Sequence, residues 1–308
     1  MPSSSASPAR ATPWAWLSHR PALLLIVTTL IWGSNAVAAR LAVGHVSPMV
    51  LTTARWSVAC IALWFVARRA LVADWPLLRP RWRYLSVMGV AGFTGFNALY
   101  YTAAHHTGAV NLTIIQGVVP VLVLLGGAVV LRLRVSALQA LGVALTLAGV
   151  AVVASRGQWS VLRALDLNAG DVGVLLASLL YAGYTLGLRA RPAVSPLVFF
   201  AAAAAVAALA SLPLLAWEVA AGQCFWPTPQ GWLIILYVGL LPSFVSQITF
   251  IRAVELIGPA RAGVFYNLTP VFGPALAVLV LGEPLRLYHV AALAMVLGGI
   301  WVAERLKP

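Results

Sequence analysis

Two apolar stretches decide the fold of this chain: AVNLTIIQGVVPVLVLLGGAVVL at residues 109–131 and PARAGVFYNLTPVFGPALAVLVL at residues 259–281. Each is longer than the ~20 mostly apolar residues that cross the hydrocarbon core of a bilayer. Each also carries a proline at the same place, Pro120 in the first and Pro270 in the second. The pair therefore predicts membrane-spanning helices and an internal repeat.

The composition of the whole chain agrees with a membrane protein. Hydrophobic residues make up 62 % of the sequence and charged residues 9 %, against about 45–50 % and about 25 % in soluble domains. Such a chain cannot build a surface that faces water, so the lipid bilayer is its expected partner.

Ten stretches have the length and hydropathy of a membrane span, and short connections with proline, glycine or charge separate them. They lie at residues 22–43, 47–67, 84–104, 109–131, 137–154, 170–189, 195–217, 231–252, 260–281 and 286–303. We therefore predict an all-α integral membrane protein with ten transmembrane helices. Residues 1–20, rich in Ser, Pro and Ala, are predicted to form a disordered cytoplasmic tail.

The basic residues predict the orientation of the chain. With the N-terminus inside, Arg55 lies in the membrane, and only Arg40, Arg156, Arg163 and Arg286 of the 20 Lys and Arg residues fall outside. Cytoplasmic connections carry an excess of Lys and Arg, so we expect a multi-pass protein of the plasma (inner) membrane with both termini cytoplasmic. The net charge of +13 is spread over short clusters and does not predict a nucleic-acid partner.

Catalytic and metal-binding patterns are not evident in the sequence. Cys60 and Cys224 form neither a disulfide framework nor a metal set. Without a P-loop or a His/Asp/Glu cluster at membrane depth, we expect no ATP, no metal, no cofactor and no enzymatic activity. The protein is expected to act as a monomer or a homodimer.

The repeat continues along the chain without a gap. At a shift of 150 residues, Gly108 meets Gly258 and Gly149 meets Gly299, while Ser47-Pro48 meets Ser195-Pro196 at a shift of 148. We predict a first repeat at 21–156 and a second at 167–304. Five helices per repeat is an odd number, so the second repeat is expected to be inverted, an arrangement that suits alternating access.

Several motifs resemble the EamA family of the drug/metabolite transporter superfamily. They are Ile31-Trp32-Gly33-Ser34-Asn35, Ser47-Pro48 followed by Arg55, Tyr100-Tyr101-Thr102-Ala103, Gly258-Pro259-Ala260-Arg261-Ala262-Gly263, Leu281-Gly282-Glu283-Pro284 and Gly298-Gly299-Ile300. The resemblance covers residues 22–304. It implies transport of small organic solutes, often amino-acid-like and often outward. In one departure, Leu133 stands where the second half has Glu283.

Polar residues inside predicted spans are the candidate substrate-binding residues, because polar groups in a membrane face the interior of the bundle. Arg55 could hold a substrate carboxylate or phosphate, or it could tie its helix to its neighbours. The further candidates could likewise bind substrate or only pack and hydrogen-bond between helices. They are Trp32, Asn35, Asn97, Tyr100, Tyr101, Gln116, Tyr184, Gln247, Tyr266 and Asn267.

Pro120 and Pro270 are predicted to be paired hinges, with static kinks as the alternative. The acidic residues all lie at or near predicted helix ends or in loops, so coupling through a buried carboxylate is disfavoured. The runner-up function is a flippase for a lipid-linked or amphiphilic molecule, with a membrane-embedded enzyme behind it. A lateral opening toward lipid would favour the flippase, and a closed polar cavity the metabolite carrier.

Overall fold

The fold is entirely helical in the part of the chain that the structure describes. This computed structural model describes residues 19–132, 135–158, 160–161 and 168–305, and its regular elements are α-, 3-10 and π-helices. In a bilayer each backbone N–H and C=O must be bonded within the protein, and a helix satisfies this condition within one segment. The predicted all-α class is confirmed, whereas residues 1–18 of the predicted tail and Leu133 lie outside the described residues.

The helices follow the predicted spans closely. They are α1 (Pro21–Ala42), α2 (Pro48–Leu78), α3 (Trp82–Gly89, a π-helical segment Val90–Gly95, and Phe96–Ala103), α4 (Ala109–Gln116 and Val119–Leu131), α5 (Ala137–Ala154), α6 (Ala169–Gly187), α7 (Pro196–Ala220), α8 (Pro229–Val238, a π-helical segment Gly239–Val245, and Ser246–Ile257), α9 (Pro259–Phe265, a 3-10 turn Tyr266–Leu268, and Thr269–Leu281) and α10 (Leu287–Arg305). Several of them begin with a proline, because a backbone N–H in the first turn has no partner within the helix and its absence costs nothing.

Eight helical stretches among the described residues are long and apolar enough to cross a membrane. One of them, Pro48–Ala103, is 56 residues long and contains both predicted spans 47–67 and 84–104. The stretch Leu287–Ala303 is apolar but shorter than the others. The chain is thus a multi-pass membrane protein, and the count of ten crossings stays a prediction.

Helix α2 is longer than the sequence predicts, since it ends at Leu78 and not near residue 67. The helix continues through the exposed arginines at 68 and 69, since an exposed charge does not break a helix. The extension is held because Leu78 is fully buried in the same apolar cluster as Ala67 and Leu85.

The packing of the helices follows the repeat: each packed pair corresponds to an equivalent pair when the helices of one half are replaced by their counterparts in the other half. Helix α2 packs on α7 and α5 on α10; α1 packs on α8 and α9, just as α6 packs on α3 and α4. The repeat-equivalent helices α5 and α10 run antiparallel to each other. A Cβ added at Gly142 would touch Ala303, whereas one added at Gly149 would touch Ala292.

One end of the bundle is defined by connections that contact each other. Arg40 Nη1 donates to the carbonyl of Ala104 (2.8 Å), and the backbone N–H of Thr228 donates to the carbonyl of His45 (2.9 Å). The backbone N–H of Ala109 donates to Glu283 Oε1 (2.9 Å). We call this the Glu283 end and the other the opposite end; the basic residues predict that the Glu283 end is extracellular.

Candidate functional site

Arg55 lies at the centre of a buried polar cluster that joins four helices. Its Nε donates to Ser243 Oγ on α8 (2.6 Å). Its Nη1 donates to Asn97 Oδ1 on α3 (2.6 Å), to the hydroxyl of Tyr101, and at 3.4 Å to Asn35 Oδ1 on α1. The Tyr101 hydroxyl also donates to Asn35 Oδ1 (3.1 Å). The side chains predicted at 35, 55, 97 and 101 therefore come together in one place.

The partners of Arg55 are neutral dipoles and aromatic rings. The guanidinium carbon lies 5.4 Å from the ring centroid of Trp56 and 5.7 Å from that of Tyr101. Among the described residues, no carboxylate forms a salt bridge with it. A positive charge that is only 6 % exposed is thus held by hydrogen bonds without a protein counter-charge. This arrangement ties four helices together and also makes the centre of the bundle electropositive.

Two π-helical segments shape this cluster, and the sequence analysis missed them. Val90–Gly95 on α3 and Gly239–Val245 on α8 occupy equivalent places in the two repeats. The wider turn leaves backbone carbonyls for side chains: Asn97 Nδ2 donates to the carbonyl of Phe93 (2.6 Å), and Ser243 Oγ to that of Val238 (2.7 Å). Such bulges often mark functional positions. The pairing of Gly89 with Gly239 in the repeat was the available signal.

A second polar contact joins the two repeats through equivalent positions. Gln116 Nε2 on α4 donates to the hydroxyl of Tyr266 on α9 (3.3 Å). The Tyr266 ring lies 5.7 Å from that of Trp32, whose Nε1 donates to Ser246 Oγ (2.9 Å). Gln116, Trp32 and Tyr266 are all partly exposed, so this contact is more open than the Arg55 cluster.

A chain of aromatic rings leads from α6 to the Arg55 cluster. The ring centroids of Tyr184 and Tyr181 are 5.6 Å apart, those of Tyr181 and Phe96 5.3 Å, and those of Phe96 and Tyr100 5.4 Å. Tyr100 is 1 % exposed and adjoins Tyr101. The predicted Tyr184 and Tyr100 are thereby connected, with Phe96 as a link that the sequence analysis did not select.

The remaining candidates lie on α4, α8 and α9. Gln247 is half-buried and makes no side-chain hydrogen bond in the described part of the chain, unlike its repeat equivalent Asn97. Asn267 is half-buried in the 3-10 turn beside Tyr266. Pro120 and Pro270 each lie in the first turn of the second part of a broken helix. Their hinge role stays a prediction.

Two cavities lie away from these clusters. One, of about 250 Å³, is at the Glu283 end and is lined by polar groups that include Asn111, Arg156 and His289. The other, of about 480 Å³, is an apolar groove between α1, α8 and α9. A hydrogen bond between Ser34 Oγ and the Tyr237 hydroxyl (2.6 Å) lies in its wall.

Two acidic residues are buried despite their positions near helix ends. Asp171 and Glu218 are each 3 % exposed. Asp171 Oδ1 accepts from Thr107 Oγ1 (2.6 Å) and from Asn111 Nδ2 (3.3 Å). They are buried because packed connections cover these helix ends, and the expectation that transport is not coupled through a buried carboxylate stays a prediction.

Comparison with known proteins agrees with the helical fold and with the two halves of the sequence. The sequence model of the EamA-like transporter family matches residues 19–155 and 168–304. The chain is 23 % identical to the uncharacterized transporter YyaM of Bacillus subtilis (strain 168), over 92 % of each protein. It is 22 % identical to an uncharacterized transporter of Archaeoglobus fulgidus, over 92 % of this chain and 99 % of that one. A crystal structure with 18 % sequence identity has the same fold, with a TM-score of 0.62 over 92 % of this chain and 96 % of that chain.

Family match and relatives both identify a membrane transporter, and the match extends over both halves of the sequence. The chain belongs to the EamA-like transporter family.

Proposed function

We propose that this transporter moves small, amino-acid-like organic solutes out of the cell by alternating access, through a site between two inverted five-helix repeats. The observation that carries the proposal is the meeting of both repeats at Gln116 and Tyr266, beside the buried Arg55 cluster. Polar side chains of both halves converge where α4 and α9 are broken. A solute bound there touches both moving parts.

The antiparallel packing of the equivalent helices α5 and α10 supports the inverted architecture. In such a pair of repeats, each half can adopt the arrangement of the other, and the exchange moves access from one end of the bundle to the other. Breaks that contain Pro120 and Pro270 are where α4 and α9 can bend. The plasma membrane, cytoplasmic termini and ten crossings complete the proposal.

The electrostatics favour a solute with a negative group. Arg55 brings a positive charge to the centre, and its described partners are neutral. A solute carboxylate near the guanidinium gains from that charge at low dielectric, even without direct contact. Tyr184, Tyr266 and Trp32 offer ring faces to the rest of the solute, including an ammonium group.

The test is flux of a metabolite panel into and out of proteoliposomes, with and without a pH gradient. We expect flux of zwitterionic or anionic solutes, and its loss in Gln116→Leu, which removes the hydrogen bond to Tyr266. Gln223→Leu, an exposed position in the connection between α7 and α8, is the matched control. Full flux in Gln116→Leu, or no flux of any small polar solute, would reject this site.

A second candidate function is movement of an amphiphilic molecule, and the apolar groove between α1, α8 and α9 favours it. Its walls are mostly aliphatic, and Ser34 and Tyr237 provide a polar pair within it. The same vesicles, prepared with a fluorescent single-chain lipid, separate the two candidates. Flip of that probe in the absence of polar-solute flux would favour the flippase.

A further inference from the structure

The two repeats differ where α4 and α9 meet. At the Glu283 end the helices touch: a Cβ added at Gly273 of α9 would lie 2.2 Å from Thr113 Cγ2 of α4. The repeat equivalent of Thr113 is Gly263, on the first part of α9. Around a Cβ added at Gly263, no described residue lies within 4 Å. The contact that closes the Glu283 end therefore has no counterpart around Gly263.

A carboxylate seals the closed contact. Glu283, after α9, accepts from the backbone N–H groups of Ala109 (2.9 Å) and Val110 (3.0 Å) at the start of α4. These N–H groups have no partner within their own helix, and the helix dipole favours an anion beside them. Glu283 thus ties the second repeat to the first.

The glycine before α4 makes room for this carboxylate. A Cβ at Gly108 would lie 2.9 Å from Glu283 Oε2 and 3.2 Å from its carboxyl carbon. At the repeat equivalent, Gly258, none of the residues that the structure describes lies within 4 Å of an added Cβ. In sequence, the counterpart of Glu283 is Leu133, which lies outside the described residues and carries no carboxylate.

A second carboxylate repeats this pattern on another pair of helices. Glu218 of α7 accepts from Ser47 Oγ (2.7 Å) and from the backbone N–H groups of Met49 (3.1 Å) and Val50 (3.3 Å) at the start of α2. The equivalent start of α7 is capped by its own Ser195, whose Oγ accepts from the N–H of Val198 (3.2 Å). At a shift of 148 the counterpart of Glu218 is Ala70.

We propose that Glu283 and Glu218 are gate residues that hold the Glu283 end closed, so that the transporter rests open toward the opposite end. The inference rests on the proposed alternating access. Solute release at the Glu283 end requires α4 to leave Glu283, and the opposite end lacks an equivalent carboxylate in sequence. With the predicted orientation, the resting protein is open to the cytoplasm, from which an exporter binds its solute.

The experiment measures how fast a membrane-impermeant maleimide labels one cysteine at each end. Reporters are Thr113→Cys and Gly263→Cys, each made in a background with Cys60→Ala and Cys224→Ala. These two positions are repeat equivalents, and Thr113 is fully buried at the closed contact. In otherwise unaltered protein in detergent, we expect fast labelling at position 263 and slow labelling at position 113.

Glu283→Gln should shift the two rates in opposite directions, with labelling at 113 rising about tenfold and labelling at 263 falling. The amide keeps one acceptor oxygen but loses the charge that strengthens both hydrogen bonds. Glu255→Gln, which alters an exposed carboxylate in a surface pair, is the control and should change neither rate. Unchanged rates in Glu283→Gln, or a rise at both positions, would overturn the proposal.

Gly108→Ala provides an independent variant that displaces the carboxylate without altering charge. It should shift the rates in the same direction as Glu283→Gln, and Gly183→Ala, with open space around its added Cβ, should not. A reciprocal shift without flux of any solute would support the gate and reject the proposed function. Flux without a reciprocal shift in either variant would reject the gate and leave transport standing.

Discussion

Gly298 and Gly299 are neighbours on α10 that face different surroundings, and they provide a matched pair of substitutions. A Cβ added at Gly299 would lie 2.3 Å from Thr146 Oγ1 and 2.5 Å from the carbonyl oxygen of Gly142, both on α5. One added at Gly298 would meet only Leu145 Cδ2, at 3.7 Å. Both changes to Ala gain about 1 kcal/mol of helix propensity, so the difference between them isolates the packing of α5 on α10.

The magnitude follows from the obstructing atom. An ordinary contact of an added Cβ begins near 3.4 Å, and the carbonyl of Gly142 belongs to a helix backbone that cannot rotate away. Helix α10 must therefore retreat, and overpacking of this kind costs about 1–3 kcal/mol. We expect Gly299→Ala to be less stable than Gly298→Ala by about 2–3 kcal/mol.

Unfolding by SDS in mixed micelles, followed by tryptophan fluorescence, measures the difference. Gly298→Ala should match or exceed the stability of the unaltered protein, because its added methyl group meets no backbone. Equal free energies of unfolding for the two variants, or a more stable Gly299→Ala, would refute the close approach of the two equivalent helices.

Two further predictions concern Arg55 and His105. In the same titration, the free energy of unfolding of Arg55→Ala should fall by about 3–5 kcal/mol, because each buried acceptor left unsatisfied costs about 1–3 kcal/mol. Arg252→Ala removes one partner of an exposed ion pair and should lose less than about 1 kcal/mol. Similar losses in the two variants would contradict a structural role for the Arg55 cluster. Burial, then the neighbouring His106 and Arg40, lower the pKa of His105 below its usual 6.5, with Glu218 opposing them. Because the folded-state pKa is the lower one, the stability that neutral His105 contributes is complete above pH 6.5 and is lost as the pH falls toward that pKa. The apparent Tm should therefore fall more between pH 7 and pH 5 in the unaltered protein than in His105→Gln, and parallel profiles would contradict this.

The sequence predicted the helices well because the membrane leaves few alternatives. The lengths of the apolar stretches and the proline, glycine and charged residues between them predicted the helical segments. The 150-residue repeat aligned Gln116 with Tyr266, and the structure brings these two residues into contact. The end of α2 was wrong, because burial of Leu78 extends the helix beyond the two arginines. Helix ends depend on tertiary packing, which hydropathy does not report.

The candidate site could be predicted only in part. Polarity in an apolar span was enough to select Arg55, Asn97 and Asn35, since a bilayer leaves such groups no partner except each other. Ser243 was missed because a serine in a helix normally bonds its own backbone. It reaches Arg55 from within the π-helical segment of α8, and a one-residue change of helical period has no reliable signature in sequence.

Departures from the repeat carry information that the matches do not. If the two halves were identical, the states open at either end would have equal energies, and nothing would set a resting state. The energy difference between the two states must therefore come from positions where equivalent residues of the two repeats differ. Glu283 against Leu133, and Glu218 against Ala70, place carboxylates beside helix starts at one end only. Exchange of a few such residues should reverse the proposed resting orientation without altering the proposed binding site, because none of the described contacts of Arg55, Gln116 and Tyr266 is with either carboxylate.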